Sequence, residues 1–392
     1  MEADGPSTFD TFGQQHFGAC DFADKRLTRR AVYAGQRILE HPGGTLPDKL
    51  SRNADLIGLY RLANNPKVTH EKTIAAHCRR TRELAGAVRV LLALHDTTEA
   101  DFSGLDVEDP GPVGNGSCRG FLCHNSLAYD YDKREALGLL QQTLHVRRKV
   151  QKRESPKAKL HNWARGLPTL GTRCVQVQAN RGQKARQAVV RVAAAKVTIQ
   201  PPHFARGEHS KQDQTSWVVH VREIQPPKNA ATLEWILLTN VAAEDFPQAC
   251  QRIDWYACRA VIEEYHKAQK TGCGMELQQF TTAHALGVGI GLLSVVATQL
   301  LRLRDLSRNP QAAMRAATEV VDPEYVHVLS GWRFRELRVL SIAEFCRALS
   351  KLGGHLNRTR DKPAGWLVLW RGWSKLQLLV QGAQAGRVVR CV

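Results

Sequence analysis

Val88-Arg-Val-Leu-Leu-Ala-Leu94, running straight into His95-Asp96-Thr97-Thr98, is the stretch on which the fold turns. A short, nearly continuous apolar run of this kind marks a buried strand, and this one delivers an aspartate to its end. Two more strand-like runs follow, Gly120 to Tyr129 and Ala136 to Arg147, separated by the turn-prone Asp130-Tyr131-Asp132-Lys133-Arg134. An aspartate at a strand end usually serves as a turn or cap residue. Asp96 becomes a candidate metal ligand only if a second acid meets it from elsewhere in the chain.

That acid lies in Tyr256-Ala-Cys-Arg259-Ala-Val-Ile-Glu263-Glu-Tyr-His-Lys267-Ala-Gln-Lys270, which reads as one helix. At ~100° per residue, Arg259, Glu263 and Lys270 fall within about 60° of Tyr256, so a carboxylate, two cations and a phenol share one face. A carboxylate binds a hard divalent cation and guanidinium and ammonium groups grip phosphate oxygens, so the face suits a metal ion beside a phosphodiester. The plainer reading is a solvated face with Glu263 and Lys267 paired one turn apart. Three short strands with an aspartate on the first, then a glutamate on a distant helix, is the order expected of an α/β, ribonuclease-H-like catalytic core.

On these residues the chain resembles the insertion-sequence-four family of bacterial cut-and-paste DDE transposases. The resemblance makes Asp96 and Glu263 catalytic and metal-binding, with Mg²⁺ or Mn²⁺ as cofactor. It gives Arg259, Lys267 and Lys270 to phosphate and Tyr256 to the DNA backbone. Phe17-Gly-Ala-Cys-Asp-Phe-Ala-Asp24-Lys-Arg-Leu-Thr-Arg29-Arg30 and Tyr60-Arg-Leu-Ala-Asn-Asn65 resemble that family's helical DNA-binding domain, and Gly365-Trp-Leu-Val-Leu-Trp-Arg-Gly-Trp373 its dimerisation region. The implied partners are double-stranded DNA, as transposon ends and target, and a second copy in a homodimer. Trp235 stands where the resembled enzymes stack a ring on a flipped base; a tryptophan in an apolar strand is as readily core.

One departure outweighs these matches. The family carries a second catalytic Asp on a strand between the first Asp and the Glu, and from Ser155 through Gly207 there is no Asp or Glu at all. Two-metal phosphoryl transfer holds two divalent ions ~3.5–4 Å apart, and their mutual repulsion demands more negative charge than Asp96 and Glu263 supply. Asp101, Asp106, Asp130 and Asp132 are conceivable substitutes, each more naturally a loop or turn residue. The expectation is a transposase by descent, impaired in catalysis; the alternative is a DNA-binding remnant without enzymatic activity.

Composition agrees with the partner. Lys and Arg total 55 against 37 acids, a formal charge of +18, which suits a protein that meets polyanions. The acid-free stretch carries Lys157, Lys159, Arg165, Arg173, Arg181, Lys184, Arg186, Arg191, Lys196 and Arg206, a local field expected to face phosphate. Ten cysteines without paired CxxC spacing, and a start lacking a charged-then-apolar signal, suggest a reducing cytoplasm and nucleoid association. Cys118, Cys123 and His124 lack the second pair that a zinc site needs. Ala283 to Leu301 is apolar enough to tempt a transmembrane reading, but a core helix suits its glycines and polar residues better.

The expected organisation is a helical DNA-binding domain at 1–70, the first part of an incomplete core at 71–165, a β-rich insertion at 166–245, the helical end of the core at 246–310 and a helical C-terminal region at 311–392. Arg26 to Glu40 and Pro47 to Ala63 read as helices of the first domain, with Arg26, Arg29 and Arg30 placed to touch DNA. Thr69 reads as the N-cap of a helix to Leu84. Trp366, Trp370 and Trp373 form a stripe that must bury, inside the chain or against a second copy.

Overall fold

The computed structural model describes residues 11–105, 107, 111–114, 116–146, 163–177, 185–200, 212–228, 230–358, 360–361 and 363–390. These form two compact units, one of residues 1–150 with 260–392 and the other of residues 151–259.

The first unit begins with helices α1 (Phe12–Phe17), α2 (Lys25–Glu40), α3 (Leu46–Lys49), α4 (Asn53–Ala63) and α5 (His70–Ala85). Capping sets their starts. Thr11, Asp24 and Thr69 each accept a first-turn amide through the side chain, satisfying donors that a helix leaves orphaned. The single helix expected from Pro47 to Ala63 is instead two, because α3 stops at Lys49 and Arg52 caps a fresh start. Packing of α1 on α2 depends on Gly35: a β-carbon there would lie 2.2 Å from a ring carbon of the buried Phe17. His16 of α1 and His77 of α5 meet Nδ1 to Nδ1 at 2.8 Å, and His77 Nε2 accepts the Leu139 amide at 3.0 Å. Neutral His77 therefore carries its proton on Nδ1 and donates to His16.

Next come the strands β1 (Leu91–Asp101), β2 (Gly111–Val113), β3 (Cys118–Asp130) and β4 (Glu135–His145). All pairing is antiparallel; β1 lies on one side of β3, with β2 and β4 on the other. The first strand continues through Asp101, so Asp96 sits in mid-strand opposite Asn125 and not at the strand end expected from Val88 to Leu94. Among the described residues β1 is an edge. Gly138, at φ 144° beside a bulge in β4, leaves room for Thr81 and His77, whose atoms would stand 2.4 and 2.9 Å from a β-carbon.

The rest of this unit is helical: α7 (Ala260–Lys267), a π-turn (Ala268–Gly272), α8 (Ala283–Arg308), α9 (Pro310–Ala313), α10 (Pro323–Phe334), α11 (Ile342–Leu352) and α12 (Trp366–Arg390). By length and composition α8 resembles a membrane span, yet it is 88% buried over its apolar window, packed against α5, β4 and the tryptophan helix. It is the core helix that its glycines suggested. Trp366, Trp370 and Trp373 are likewise buried inside the chain, and Trp373 stacks on Tyr325 at 5.2 Å. The stripe is spent on intramolecular packing and is not a free dimer surface.

In the second unit β5 (Thr169–Val177), β6 (Arg186–Ile199), β7 (Gln214–Glu223) and β8 (Glu234–Thr239) form an antiparallel meander, with α6 (Phe246–Ala257) packed on it. Alternation in the strands explains the one-sided core: Val190, Val192, Val219 and Val221 point inward against Ala249 and Ile253 of α6. Each such buried valine contributes about 1.5–3 kcal/mol relative to exposure.

Candidate DNA interface and carboxylate pair

The basic residues of α2 differ in how free they are. Arg26 folds back on its own N-cap, reaching Asp24 at 3.1 Å, and holds that carboxyl below its ordinary value. Arg30 approaches Asp55 at 3.5 Å, lies over the Tyr33 ring at 5.7 Å, and has its guanidinium 2.8 Å from where Gly58 would carry a β-carbon. The Tyr33 hydroxyl donates to the same Asp55 at 2.7 Å. Arg29 has no ion pair among the described residues. It is exposed and lines a concavity of about 670 Å³ with Gln14, Lys25 and Thr28, where Asp24 is taken by Arg26 and Asp21 accepts the Ala23 amide. A guanidinium presented this way is ready to take a phosphate oxygen.

Lys49 is fully buried, donating from Nζ to the carbonyls of Pro42, Gly43 and Gly44 at 2.7, 2.9 and 2.7 Å; burial pushes its ammonium down to about 8. The Gly44 carbonyl also accepts from Gln278 Nε2 at 3.1 Å, so the turn after α2 is seated on the segment following the π-turn. Nothing in the sequence singled out this lysine, because a lone Lys in a polar stretch reads as solvated.

Asp96 is half-buried and accepts the Thr97 amide at 2.9 Å. Glu263 is exposed on α7, which packs against β1, so the elements carrying the two candidate acids are neighbours. Among the described residues no group of three or more His, Cys, Asp or Glu could hold a metal ion, a finding that also covers Cys118, Cys123 and His124. Of the suggested substitutes, Asp101 is engaged with the Ser103 amide and hydroxyl at 2.9 and 2.6 Å. Asp130 accepts the Lys133 amide and Asp132 binds Arg89. Asp106 lies outside the described residues.

The single helix expected from Tyr256 to Lys270 is broken twice. α6 ends at Ala257, a turn holds Cys258 and Arg259, and α7 starts at Ala260 before passing into the π-turn. A π-turn widens the spacing per turn, so the 100° rule that grouped Lys270 with Glu263 no longer applies. Lys270 instead pairs with Glu276 at 3.0 Å, and Glu276 accepts the Asp101 amide at 3.0 Å. Lys267 remains exposed. Within the second unit Tyr256 meets Trp235, with centroids 5.4 Å apart at 59°, and Trp235 is half-buried at the edge of the meander's core.

Beneath Asp96 lies a polar network that sequence reading missed. Gln142 Nε2 donates to Asn125 Oδ1 at 2.6 Å and to Ser294 Oγ at 2.9 Å; Gln269 Nε2 donates to the same Ser294 at 2.8 Å, and His70 Nε2 meets Gln142 Oε1 at 2.9 Å. Asn125, Gln269 and Ser294 are wholly buried. The signal was present as Asn125 and Gln142 on the inward faces of apolar strands, where a polar side chain must find partners.

The acid-free basic stretch is not acid-free in space. Arg165 pairs with Glu234 at 2.7 Å, Arg173 with Asp254 at 2.8 Å and Arg186 with Glu223 at 2.9 Å. Arg191 is spent on Thr169 Oγ1 and the carbonyls of Arg165 and Leu167. Three of the five described cations of this stretch are therefore paired with acids from later strands and α6. Lys196 is exposed, whereas Lys157, Lys159, Arg181, Lys184 and Arg206 lie outside the described residues.

Residues 10–68 match the family model described as transposase DNA-binding. The chain carries a transposase DNA-binding domain there, and DNA is its partner. The matched span takes in α1 to α4, with Arg26, Arg29 and Arg30, and stops just before Thr69 caps α5.

Proposed function

We propose that this protein is a cut-and-paste transposase by descent that binds the ends of a mobile element through residues 10–68 and does not complete strand cleavage itself. The observation that carries the reading is the transposase DNA-binding domain with Arg29 presented on an exposed face of α2. Arg26 and Arg30 add phosphate contacts once a duplex displaces their present partners, and Lys267 supplies a further exposed cation near the central sheet.

The proposed central sheet is a ribonuclease-H-like core, supported by three antiparallel strands with Asp96 on the first and Glu263 on a helix packed against it. Asp96 and Glu263 are the residues that would hold Mg²⁺ or Mn²⁺, which supplies Lewis acidity at phosphate when bound. The donor set does not fit a two-ion site, because the described residues gather no third ligand. Binding without strand cleavage is therefore the activity proposed for this chain. Pairing of two copies, which the family resemblance implies, needs a surface other than the buried tryptophans.

A gel-shift and nicking assay in Mn²⁺ on duplex bearing the element's own ends tests this reading. A shifted band without nicks is expected. Specific nicking would establish the active-transposase alternative, and absence of any shift would remove the DNA-binding reading itself.

A further inference from the structure

Away from the central sheet, a cavity of about 500 Å³ opens between the C-terminal end of α8, helix α11 and the loop leading to α12. Three guanidinium-bearing residues line it: Arg308 from α8, Arg347 from α11 and Arg358 from the loop. Among the described lining residues Asp361 is the one acid, and its Oδ2 already accepts the Arg358 amide at 2.9 Å. Glu344, the nearest acid on α11, is engaged by Arg338 at 3.2 Å and by the Ser341 amide. Positive charge in the cavity thus exceeds what the chain supplies to balance it.

The wall is fixed in place. Asn357 adopts a left-handed φ of 54°, donates from Nδ2 to the Arg347 carbonyl at 3.0 Å, and accepts from the Ser350 hydroxyl at 3.1 Å. One Arg308 nitrogen donates to the Ala364 carbonyl at 3.1 Å, closing the opposite side of the loop. A non-glycine residue held left-handed costs free energy and is retained where the surroundings over-determine it. Burial, with repulsion from Arg304, lowers the Arg308 pKa against the pull of Asp305. An anion in the cavity would offset the repulsion between Arg304 and Arg308.

We propose that this cavity binds a phosphate group, held by Arg347 and Arg358 with Arg308 behind them. Guanidinium forks match the oxygens of a phosphate mono- or diester, and a tetrahedral oxyanion answers several cations converging from different directions. The phosphate comes either from a nucleic-acid backbone or from a free phosphate compound. The site stands independently of the DNA-binding domain.

The test compares the full chain with the Arg347→Gln/Arg358→Gln variant, which alters two exposed side chains and no backbone contact named above. Calorimetric titration with pyrophosphate is expected to show binding that the variant weakens at least about tenfold, while circular dichroism stays unchanged. A second arm measures anisotropy of a random-sequence duplex against salt. A salt slope shallower by about 0.9 in the variant assigns the site to nucleic-acid backbone, whereas unchanged duplex binding with lost pyrophosphate binding assigns it to a free phosphate compound. Variant and native chain alike in both arms would overturn the proposal. If the native chain binds no duplex, the DNA-binding reading fails and the pyrophosphate arm still decides this one. Should the double variant unfold, Arg358→Ala alone, in the loop, is read in its place.

Discussion

The indole Nε1 of Trp373 donates to the carbonyl of Leu39 at 3.1 Å, so the last helix of the chain is hydrogen-bonded to the second helix of the DNA-binding domain. Trp370 approaches Gly43 in the turn that follows, with Nε1 3.9 Å from where a β-carbon would stand, and Trp366 packs on Gly272 of the π-turn. The domain at residues 10–68 is therefore seated on the body of its own unit.

Trp373→Phe should keep the ring stack on Tyr325 and lose the hydrogen bond, a cost of about 1 kcal/mol. Trp373→Ala removes the ring and should cost about 3–5 kcal/mol. Urea denaturation of the two variants gives the comparison, and equal losses would contradict the separate role of the hydrogen bond.

Arg29→Ala should weaken duplex binding and reduce the slope of log K against log salt by about 0.9, the value of one phosphate contact. Arg26→Ala should do less, since that guanidinium must first leave Asp24. Anisotropy titrations across a salt series separate the two; the reverse ranking would show that Arg26 is the residue facing DNA.

Gly35→Ala should destabilise by about 1–3 kcal/mol, because the added methyl meets the Phe17 ring 2.2 Å away in a packed core. Thermal denaturation measures it. Phe17→Leu on the Gly35→Ala background should recover part of the loss, whereas simple addition of the two penalties would argue against the contact.

Acid should destabilise the fold through the histidine pair. Burial, first of all, lowers His77 to about 3 and His16 well below its ordinary 6.5, and each also repels the nearby Arg80. Both bind protons more readily when unfolded, so their stability contribution is full above pH 6.5 and is lost as pH falls toward 3. Between pH 6.5 and pH 5 the loss is about 2 kcal/mol for His77, and His16 adds to it in the same direction. His77→Gln should flatten the denaturation profile in that window; a profile as steep as that of the native chain would place the titration elsewhere.

Elements whose burial is one-sided or complete were legible in the sequence. The alternation of β6 and β7, the apolar length of α8 and the Thr69 cap all read directly. Interactions that depend on distant partners were not. Three arginines of the basic stretch looked free because Glu234, Asp254 and Glu223 lie far along the chain. The π-turn at Ala268–Gly272 carries no glycine or proline before its last residue, so the helical period seemed to continue through Lys270. Asp96 was placed at a strand end because the apolar run stops at Leu94, yet cross-strand pairing carries β1 on to Asp101.

The seat of Trp366, Trp370 and Trp373 also makes them an optical gauge. Their emission is set by the buried contact between α12, the turn after α2 and the π-turn, so lifting the reading head off its base would expose the rings and shift the fluorescence to longer wavelength. A duplex that docks without disturbing this junction should leave the spectrum in place, whereas one that pries it open should redden it. With the chain's five other tryptophans replaced by phenylalanine, the protein thus reports whether DNA is gripped by a fixed jaw or a swinging one.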